Sequence, residues 1–256
     1  MTHMKNQDDN FIEIRDLHKR LGSQDVLRGI TLDVRRGERL VIIGGSGSGK
    51  SVLLKHLAGL FSADRGSLKI DGVEITNLGE RQLAATRRKL GYLFQDGALF
   101  GSLTVWDNIA FPLRETGLKD EKLIDEQVTA ALEAVGLGGH GDKLPGDLSG
   151  GMRKRAGVAR AVVTRPKCIL YDEPTSGLDP VLADSIDKLA VRIQNQYQTT
   201  SVIVTHNMKT VFTVADRVAF LRGGVIDFLG HPSELESTQN EHLKAFVEGR
   251  SAEQDL

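Results

Sequence analysis

Eight consecutive residues, GGSGSGKS at 44–51, have the composition and spacing of a phosphate-binding loop, G-x-x-x-x-G-K-[ST]. The glycines let successive backbone N–H groups turn toward an anion, and a helix predicted over 51–60 adds its positive end. We expect Lys50 to contact the β- and γ-phosphates of a nucleotide and the Ser51 hydroxyl to bind Mg²⁺. The alternative is a glycine-rich turn with a solvated lysine. The loop residues are Gly44, Gly45, Ser46, Gly47, Ser48, Gly49, Lys50 and Ser51.

Two acids stand at the end of an apolar run, CILYDEP at 168–174. A parallel strand delivers the residues at its carboxyl end to the crevice where ligands bind. Asp172 is then placed to hold Mg²⁺, directly or through water, and Glu173 to orient and deprotonate an attacking water. Alone, the pair would favour two solvated acids at a strand end. Beside a complete phosphate loop, the catalytic interpretation is favoured.

A third apolar run, SVIVTH at 201–206, ends in His206. Most single histidines are surface residues or satisfied core residues. This one follows a buried-type strand, as Asp172 does, so its imidazole is predicted to reach the γ-phosphate or the attacking water.

The segment LSGGMRKRAG at 148–157 places two glycines before a helical pattern. Such a pair is costly unless the backbone must come close to another group. The helix presents an apolar stripe, which we interpret as its core-facing side. The basic run at 153–155 is interpreted as a solvated face. The stripe comprises Met152, Ala156, Ala159 and Val163.

Strand patterns alternate with helical ones along the chain, which predicts an α/β fold with a parallel sheet. A mostly helical stretch at 80–135 predicts a helical insertion, and clear helices are expected at 121–135 and 180–197. Strands are predicted at 11–17, 30–44 (two strands with a turn at Arg36-Gly37), 67–72, 167–173, 201–206 and 216–224.

The bulk composition bounds the function. Of the 256 residues, 40% are hydrophobic and 26% charged, which is ordinary for a globular protein. A net charge of -1 argues against a nucleic-acid partner that needs a broad basic surface. The single cysteine, Cys168, excludes an intrachain disulfide. We find no signal peptide and no apolar run long enough for a membrane span, so we expect any membrane role to act through a partner.

The combined motifs resemble those of the ATP-binding cassette (ABC) family of ATPases, in the family's order over about residues 11–235. The resemblance implies one ATPase domain at 11–235, with a RecA-like parallel core, an antiparallel β subdomain and a helical subdomain at about 96–157. It implies a flexible tail at 1–10, a short helix and tail at 236–256, and hydrolysis of ATP with Mg²⁺. The matching segments are GGSGSGKS, YLFQDG with Gln95, LSGGM, ILYDEP, SGLD (176–179) and VTH.

The same resemblance implies a site shared between two copies of the chain. In that family, the LSGGQ-type signature covers the ATP held by a second cassette in a head-to-tail dimer. Ser149, Gly150 and Gly151 would then face the partner's γ-phosphate. Gln95 would sense Mg²⁺ or water from a mobile loop, and Asp179 would report across the dimer interface.

A narrower resemblance comes from FQDGALFGSLTVWDNIAFPLRE at 94–115 together with LSGGMRKR. These segments are similar to the ATPases of Mla/Mce-type transporters, which move phospholipids or related lipids between bacterial membranes. The similarity implies a permease partner, an MCE-domain protein, in some systems a STAS-domain subunit, and a place on the cytoplasmic face of the inner membrane. Phe100 or Trp106 is then expected at the permease contact; the alternative is packing inside the insertion.

Two positions depart from the family pattern. Leu21 stands where many of these ATPases stack an aromatic residue on adenine, and neighbouring Arg20 is the remaining group able to lie over a base. Base selectivity is therefore expected to be relaxed. Met152 replaces the signature's usual glutamine. A thioether lacks the donor and acceptor pair of an amide, so phosphate contacts should rest on Ser149 and the glycine amides.

Other classes of P-loop protein agree less well with these motifs. ABC proteins of DNA repair or chromosome structure need coiled coils, zinc cysteines or tandem cassettes, which this chain lacks. The signature, Glu173 and His206 oppose a P-loop kinase or GTPase, and a scaffold would leave the catalytic set idle. Within transport, the alternative substrates are amino acids or lipoproteins.

Overall fold

The computed structural model describes residues 9–250, in two compact units. Within the described residues, the first unit comprises 9–86 with 215–250, and the second comprises Arg87–Val214. The tail predicted at 1–10 lies outside the described residues up to residue 8, and the predicted carboxyl-terminal tail does so from residue 251.

Strands occur at every position where a strand was predicted, although several are longer than expected. The hairpin partner of the first strand begins at Gln24 rather than near residue 30. The strands within residues 9–250 are β1 (Asn10–Leu21), β2 (Gln24–Arg35), β3 (Arg39–Ile43), β4 (Arg65–Ile70), β5 (Val73–Glu74), β6 (Leu90–Leu93), β7 (Cys168–Asp172), β8 (Thr200–Val204), β9 (Arg217–Arg222) and β10 (Val225–Gly230).

The two helices predicted as clearest, at 121–135 and 180–197, are both present. Within residues 9–250 no helix combines the length and the apolar composition that a membrane span requires. The helices of this part of the chain are α1 (Lys50–Leu57), α2 (Glu80–Arg87), α3 (Val105–Glu115), α4 (Glu121–Ala134), α5 (Gly150–Val162), α6 (Pro180–Tyr197), α7 (Met208–Val214) and α8 (Glu241–Val247).

The first unit contains an antiparallel sheet in the order β2-β1-β4-β5. Its strands alternate buried apolar and more exposed positions, as a sheet with one covered face requires; in β1, Ile12, Ile14 and Leu17 are fully buried. The same unit holds β3, which pairs in parallel with β9, and β10 pairs antiparallel with β9. Residues Leu40–Ile43 of β3 are all fully buried, which fixes the start of the phosphate loop.

The second unit holds three parallel strands in the order β8-β7-β6. Every residue of β7 and β8 is buried, as expected for strands covered on both faces. Because these strands are parallel, Asp172 and Glu173 after β7 lie at the same edge as His206 after β8. The helices of the predicted insertion, α3 to α5, also belong to this unit.

Besides the two-residue β5, two strands were missed by the sequence interpretation. Strand β6 (LGYL) lies inside the stretch predicted as mostly helical, because a four-residue strand is too short to show a period. Strand β10 is half-exposed throughout and carries little alternation. The first of these omissions matters for the site, since β6 leads directly into the loop of Gln95.

A buried carboxylate on α6 makes the stability of the chain depend on pH. Asp187 is 2% exposed, and its Oδ2 accepts a hydrogen bond of 3.0 Å from the hydroxyl of Thr210. Burial raises the pKa of Asp187 from 3.8 to about 6; the charge of Asp184 adds to the rise, and Thr210 and Lys209 oppose it. The folded state therefore binds the proton more tightly than the unfolded state, and stability should fall as pH rises through this range.

We expect Asp187→Asn to raise the free energy of unfolding by about 1–2 kcal/mol near pH 7.5, and the gain to vanish near pH 4. Urea unfolding at both pH values measures it. Asp184→Asn is the matched control, because Lys188 lowers the pKa of the half-buried Asp184 and the expected change in stability therefore has the opposite sign. A loss of stability near pH 7.5 in Asp187→Asn would contradict the assigned cost of burial.

Candidate functional site

The loop GGSGSGKS joins the buried strand β3 to helix α1 in the first unit. Helix α1 starts at Lys50 and is capped by Gly49, whose φ of 104° is in the left-handed region that favours glycine. Gly44 packs directly on β9, since a Cβ there would lie 2.2 Å from the carbonyl oxygen of Leu221. The two glycines are therefore required by backbone geometry and by close approach.

The polar groups of this loop are suited to an anion. Lys50 is 9% exposed, and its Nζ donates to the carbonyl oxygens of Gly44 and Gly45, both at 2.8 Å. The Ser48 Oγ is buried and has no hydrogen-bond partner among residues 9–250. A phosphate would give the Ser48 hydroxyl an acceptor and replace two carbonyls around the ammonium with a full negative charge. Ser46, Gly47 and Ser51 are exposed at the surface of the loop or helix start.

A cavity of about 370 Å³ opens beside the loop within the first unit. Its walls come from Val26 and Arg28 of β2, from Ser46–Ser48, and from the turn Arg222–Gly224 between β9 and β10. The Arg28 backbone N–H donates to the Gly224 carbonyl at 2.8 Å, which ties the turn to β2. The sequence interpretation did not identify this wall; the paired glycines at 223–224 are the only signal that marks it.

That Leu21 faces the base stays a prediction. Leu21 is 40% exposed at the end of β1. Arg20, the alternative group for covering a base, forms two hydrogen bonds with Asp25 across the hairpin, at 2.6 and 2.8 Å. Arg20 can lie over a base only if this ion pair opens.

Asp172 ends β7 in the second unit and is 8% exposed. Its Oδ2 accepts a hydrogen bond of 3.2 Å from the hydroxyl of Tyr92 on β6. Burial raises the pKa of Tyr92, and the charge of Asp172 raises it further, so the phenol stays a donor. Tyr92 thus orients the predicted metal ligand, a role that the sequence interpretation missed.

Glu173 and His206, predicted from separate strands, are brought together. Glu173 Oε1 lies 3.0 Å from His206 Nδ1, with the carboxylate side chain 12% exposed and the imidazole 65% exposed. A carboxylate only accepts, so Nδ1 carries the proton of this bond. The second oxygen, Oε2, is buried, and no group in the described part of the chain forms a hydrogen bond with it. Glu173 also has a φ of 48°, a strained conformation for a non-glycine residue that is typical of functional sites.

The loop of Gln95 follows β6, and its side chain is exposed. The Gln95 carbonyl oxygen accepts a hydrogen bond from the Nζ of Lys154 on α5. Lys154 is only 5% exposed, so the prediction that the basic run at 153–155 forms a solvated face is wrong for this residue. Burial lowers the pKa of Lys154, whereas the charges of Asp96 and Glu173 oppose that change.

The segment LSGGM forms the start of α5. Ser149 caps the helix, with its Oγ accepting from the Met152 N–H at 3.3 Å, and no acid stands in the first turn. A Cβ on Gly151 would lie 3.3 Å from Leu182, whereas one on Gly150 would meet no atom closer than 3.6 Å. Nothing in the second unit therefore explains why residue 150 is glycine.

Two further sequence expectations concern helix positions. In the apolar stripe of α5, Ala156, Ala159 and Val163 are buried, and Met152 is half-buried. Asp179 caps α6 by accepting from two backbone N–H groups, at 2.9 and 3.0 Å. The structure gives Asp179 this local role, and a role between copies stays a prediction.

Each unit carries oxygen groups of the kind that bind Mg²⁺ together with a nucleotide. Among residues 9–250 no three His, Cys, Asp or Glu side chains cluster closely enough to hold a metal by themselves. Mg²⁺ takes oxygen ligands and is commonly held by one or two carboxylates or hydroxyls with substrate phosphates. In the second unit Asp172 and Gln95 carry oxygen groups of this kind, and in the first unit Ser51 carries a hydroxyl; that they bind one ion stays a prediction. The Glu173 Oε2 is buried and accepts no bond within residues 9–250, so its contact with water stays a prediction.

Comparison with known proteins gives matches along most of the chain. The family profile described as ABC transporter matches residues 27–176. A probable ribonucleotide transport ATP-binding protein, mkl of Mycobacterium leprae, is 45% identical over 93% of this chain and 69% of that protein. The methionine import ATP-binding protein MetN of Clostridium tetani is 39% identical over 93% of this chain and 74% of its own length.

A third relative aligns over nearly its whole length. The intermembrane phospholipid transport system ATP-binding protein MlaF of Haemophilus influenzae is 36% identical over 94% of this chain and 92% of that protein. Among solved structures, the dimeric post-hydrolysis state of the ATP-binding cassette MJ0796, bound to ADP and phosphate, has a TM-score of 0.79. It is 28% identical and covers 86% of this chain and 98% of its own. These likenesses confirm the predicted fold class.

Proposed function

Because the chain belongs to the ABC transporter family and is an ATP-hydrolysing cassette that uses ATP with Mg²⁺, we propose that it powers lipid transport. Two copies bind two ATP molecules and drive a permease that moves phospholipid or a related lipid between bacterial membranes. The observation that carries the lipid class is the alignment with MlaF over 94% of this chain and 92% of that protein. The similarity of segments 94–115 and LSGGMRKR to Mla/Mce-type ATPases supports it.

Within one chain, the loop at 44–51 is proposed to hold the phosphates of ATP. Lys50 exchanges its two carbonyl partners for phosphate oxygens, and the Ser48 hydroxyl gains an acceptor. Ser51, Asp172 and Gln95 are proposed to hold Mg²⁺, which supplies positive charge to the phosphates during hydrolysis. Tyr92 keeps the Asp172 carboxylate oriented through its hydroxyl. The cavity beside the loop is the proposed site of the ribose and base.

Glu173 is proposed as the general base. Its Oε1 is held at 3.0 Å by His206, which leaves the buried Oε2 to accept a proton from the attacking water. His206, whose side chain is 65% exposed, is proposed to act on the γ-phosphate or the attacking water. The strained φ of Glu173 fits a residue whose carboxylate is positioned by its surroundings rather than by local preference.

The signature segment is proposed to serve the second copy. Ser149, Gly150 and Gly151 present a helix N-terminus without an acid in its first turn, which favours an anion. The second unit leaves Gly150 uncrowded, so the need for glycine is best explained by a group that approaches from another molecule. Asp179 is proposed to lie at the same interface.

The proposed permease contact is an apolar groove of about 300 Å³ in the second unit. Phe100 and Phe111 line it with their rings 5.1 Å apart, 45% and 40% exposed. The side chain of the buried Asn108 bonds to both the backbone N–H and the carbonyl of Phe100. The backbone that carries the exposed ring is therefore held in place. Trp106 is a weaker candidate, because its indole N–H donates to Asp125 at 3.1 Å.

Phe100→Glu is expected to leave the chain folded and to abolish its co-purification with the membrane subunit, because a carboxylate in the groove cannot be buried against an apolar helix. Phe212→Glu is the matched control, since Phe212 is equally exposed at 47% on α7. Pull-down from detergent extract, with thermal unfolding of the same samples, measures both effects. Loss of folding in Phe100→Glu alone would instead assign the ring to an internal core.

The lipid assignment is tested by identifying what co-purifies with the complete complex. Phospholipid bound in stoichiometric amount, retained without nucleotide and released with ATP, is the expected result. The second candidate class is a small polar substrate such as an amino acid, favoured by the likeness to the methionine import protein. Release of an amino acid or nucleotide with no lipid would assign the transporter a small polar substrate instead of a lipid.

Further partners are proposed on the same basis. An MCE-domain protein and a STAS-domain subunit would complete the complex, and the chain would sit on the cytoplasmic face of the inner membrane through the permease. Their presence in the purified complex, read by mass spectrometry, tests this part separately from the lipid.

A further inference from the structure

Two cationic side chains of helix α5 form hydrogen bonds with the loop that carries Gln95. The carbonyl oxygen of Gln95 accepts from Lys154, and the carbonyl oxygens of Gly97 and Ala98 accept from Arg160 at 2.8 and 2.7 Å. Three of the four loop carbonyls from 95 to 98 are thus bonded to one helix. Among these residues Gly97 is buried, so its carbonyl needs a hydrogen-bond partner from the protein.

Between the two cations, helix and loop touch through their backbones. A Cβ on Gly157 would lie 2.8 Å from Leu93 and 3.2 Å from the Gly97 Cα, so this turn of α5 admits only glycine without a shift. On the loop side of the contact, a Cβ on Gly97 would lie 3.2 Å from the Arg153 carbonyl oxygen. With so little space, a displacement of α5 must displace the loop.

Lys154 differs from Arg160 in the charges around it. Both Asp96, in the loop, and Glu173, after β7, act on its ammonium group. A cation that is 5% exposed is costly unless carboxylates and hydrogen bonds compensate for lost water. Lys154 therefore bonds the signature helix to the Gln95 loop, and the charge of the proposed general base acts on its ammonium group.

We propose that Lys154 is a positioning residue for ATP hydrolysis, which fixes the Gln95 loop to the signature helix and holds a positive charge toward Glu173 of the same chain. The inference rests on the roles proposed above for Gln95 and Glu173. As a consequence, the two sites are linked. When the signature end of α5 binds the partner's nucleotide, a movement of α5 also shifts Gln95 and changes the surroundings of Glu173 in the same chain.

The test compares Lys154→Met, which removes charge and donor, with Lys154→Arg, which keeps both. In the complex with the membrane subunit, Lys154→Met should lower kcat about tenfold with KM for ATP changed less than about twofold, because alignment is lost and binding is not. Lys154→Arg should recover most of the loss. Lys188→Met, an exposed lysine of α6 paired with Asp184, is the control and should match the wild type.

Hydrogen exchange on the nucleotide-free full chain gives a readout that does not depend on activity. In Lys154→Met, amides of residues 95–98 should exchange about tenfold faster while those of β7 keep their protection. Faster exchange throughout the second unit, or a loss of kcat that Lys154→Arg does not recover, would reduce Lys154 to a structural residue and overturn the proposal. Wild-type kcat and exchange in Lys154→Met would overturn it too.

If Lys154→Met fails to fold, Lys154→Gln takes its place, because the amide keeps a donor and loses only the charge. It should still lower kcat with little change in KM, and a wild-type kcat would overturn the role of the charge. Glu173→Gln separates this inference from the proposed function. If Glu173→Gln stops ATP turnover but the Lys154 variants turn over ATP at the wild-type rate, the positioning role of Lys154 is wrong and the proposed general base stands.

Discussion

Glu173→Gln is expected to reduce ATP turnover by at least about a hundredfold while leaving ATP binding intact, because an amide cannot take a proton from water. The substitution keeps the shape of the side chain, and the amide oxygen can still accept the bond from His206 that the carboxylate accepts at 3.0 Å. Single-turnover hydrolysis and equilibrium binding of labelled ATP measure the two properties on the same sample. A dimer with trapped ATP should accumulate.

Asp172→Asn provides the contrast, because it removes a proposed metal ligand rather than the base. That variant should lose affinity for Mg-ATP as well as turnover. Glu133→Gln, at an exposed position of α4, should behave as the wild type. Near-normal hydrolysis in Glu173→Gln would refute the base assignment and leave its contact with His206 as a structural ion pair.

Ser149→Arg is expected to lower turnover by about a hundredfold or more, with ATP binding to the chain's own phosphate loop unchanged. The long side chain would occupy the space above α5 where the partner's phosphate is proposed to lie. It also removes the helix cap on Met152, which alone costs about 1 kcal/mol. Ser149→Ala, which loses the cap without adding bulk, is therefore the control for stability.

The two Ser149 variants separate the roles by size of effect. Ser149→Ala should unfold slightly earlier and retain much of the turnover supported by the glycine amides. If Ser149→Arg weakens ATP binding to the isolated chain, the signature would act on its own phosphate loop. If both variants hydrolyse ATP normally, the segment would have no part in catalysis.

The parts of the site that were predictable are those encoded by local spacing. GGSGSGKS specifies a loop because glycine positions, the lysine and the flanking strand and helix are neighbours in sequence. The pairing of Glu173 with His206 was also foreseeable in part, since both follow buried parallel strands. Their distance and the unpartnered Oε2 depend on how β7 and β8 align, which spacing alone does not fix.

The parts that were missed depend on contacts between distant segments. Lys154 looked like one of three solvated cations, because its own helix gives no sign that the Gln95 loop covers it. Tyr92 lies on β6, whose four residues show no period, so its bond to Asp172 could not be anticipated. From the sequence, Arg20 could cover a base, but in the structure its guanidinium is hydrogen-bonded to Asp25 across the hairpin.

The shared site between two copies is the central claim, and trapping of ATP in mixed dimers tests it most directly. Chains carrying Lys50→Ala and chains carrying Ser149→Arg, both with Glu173→Gln to stop turnover, are tagged differently, mixed with ATP and purified through both tags. We predict one trapped ATP per mixed dimer and none in either homodimer, because only the mixed dimer pairs an intact loop with an intact signature. Mixed dimers that form but trap no ATP would contradict the account.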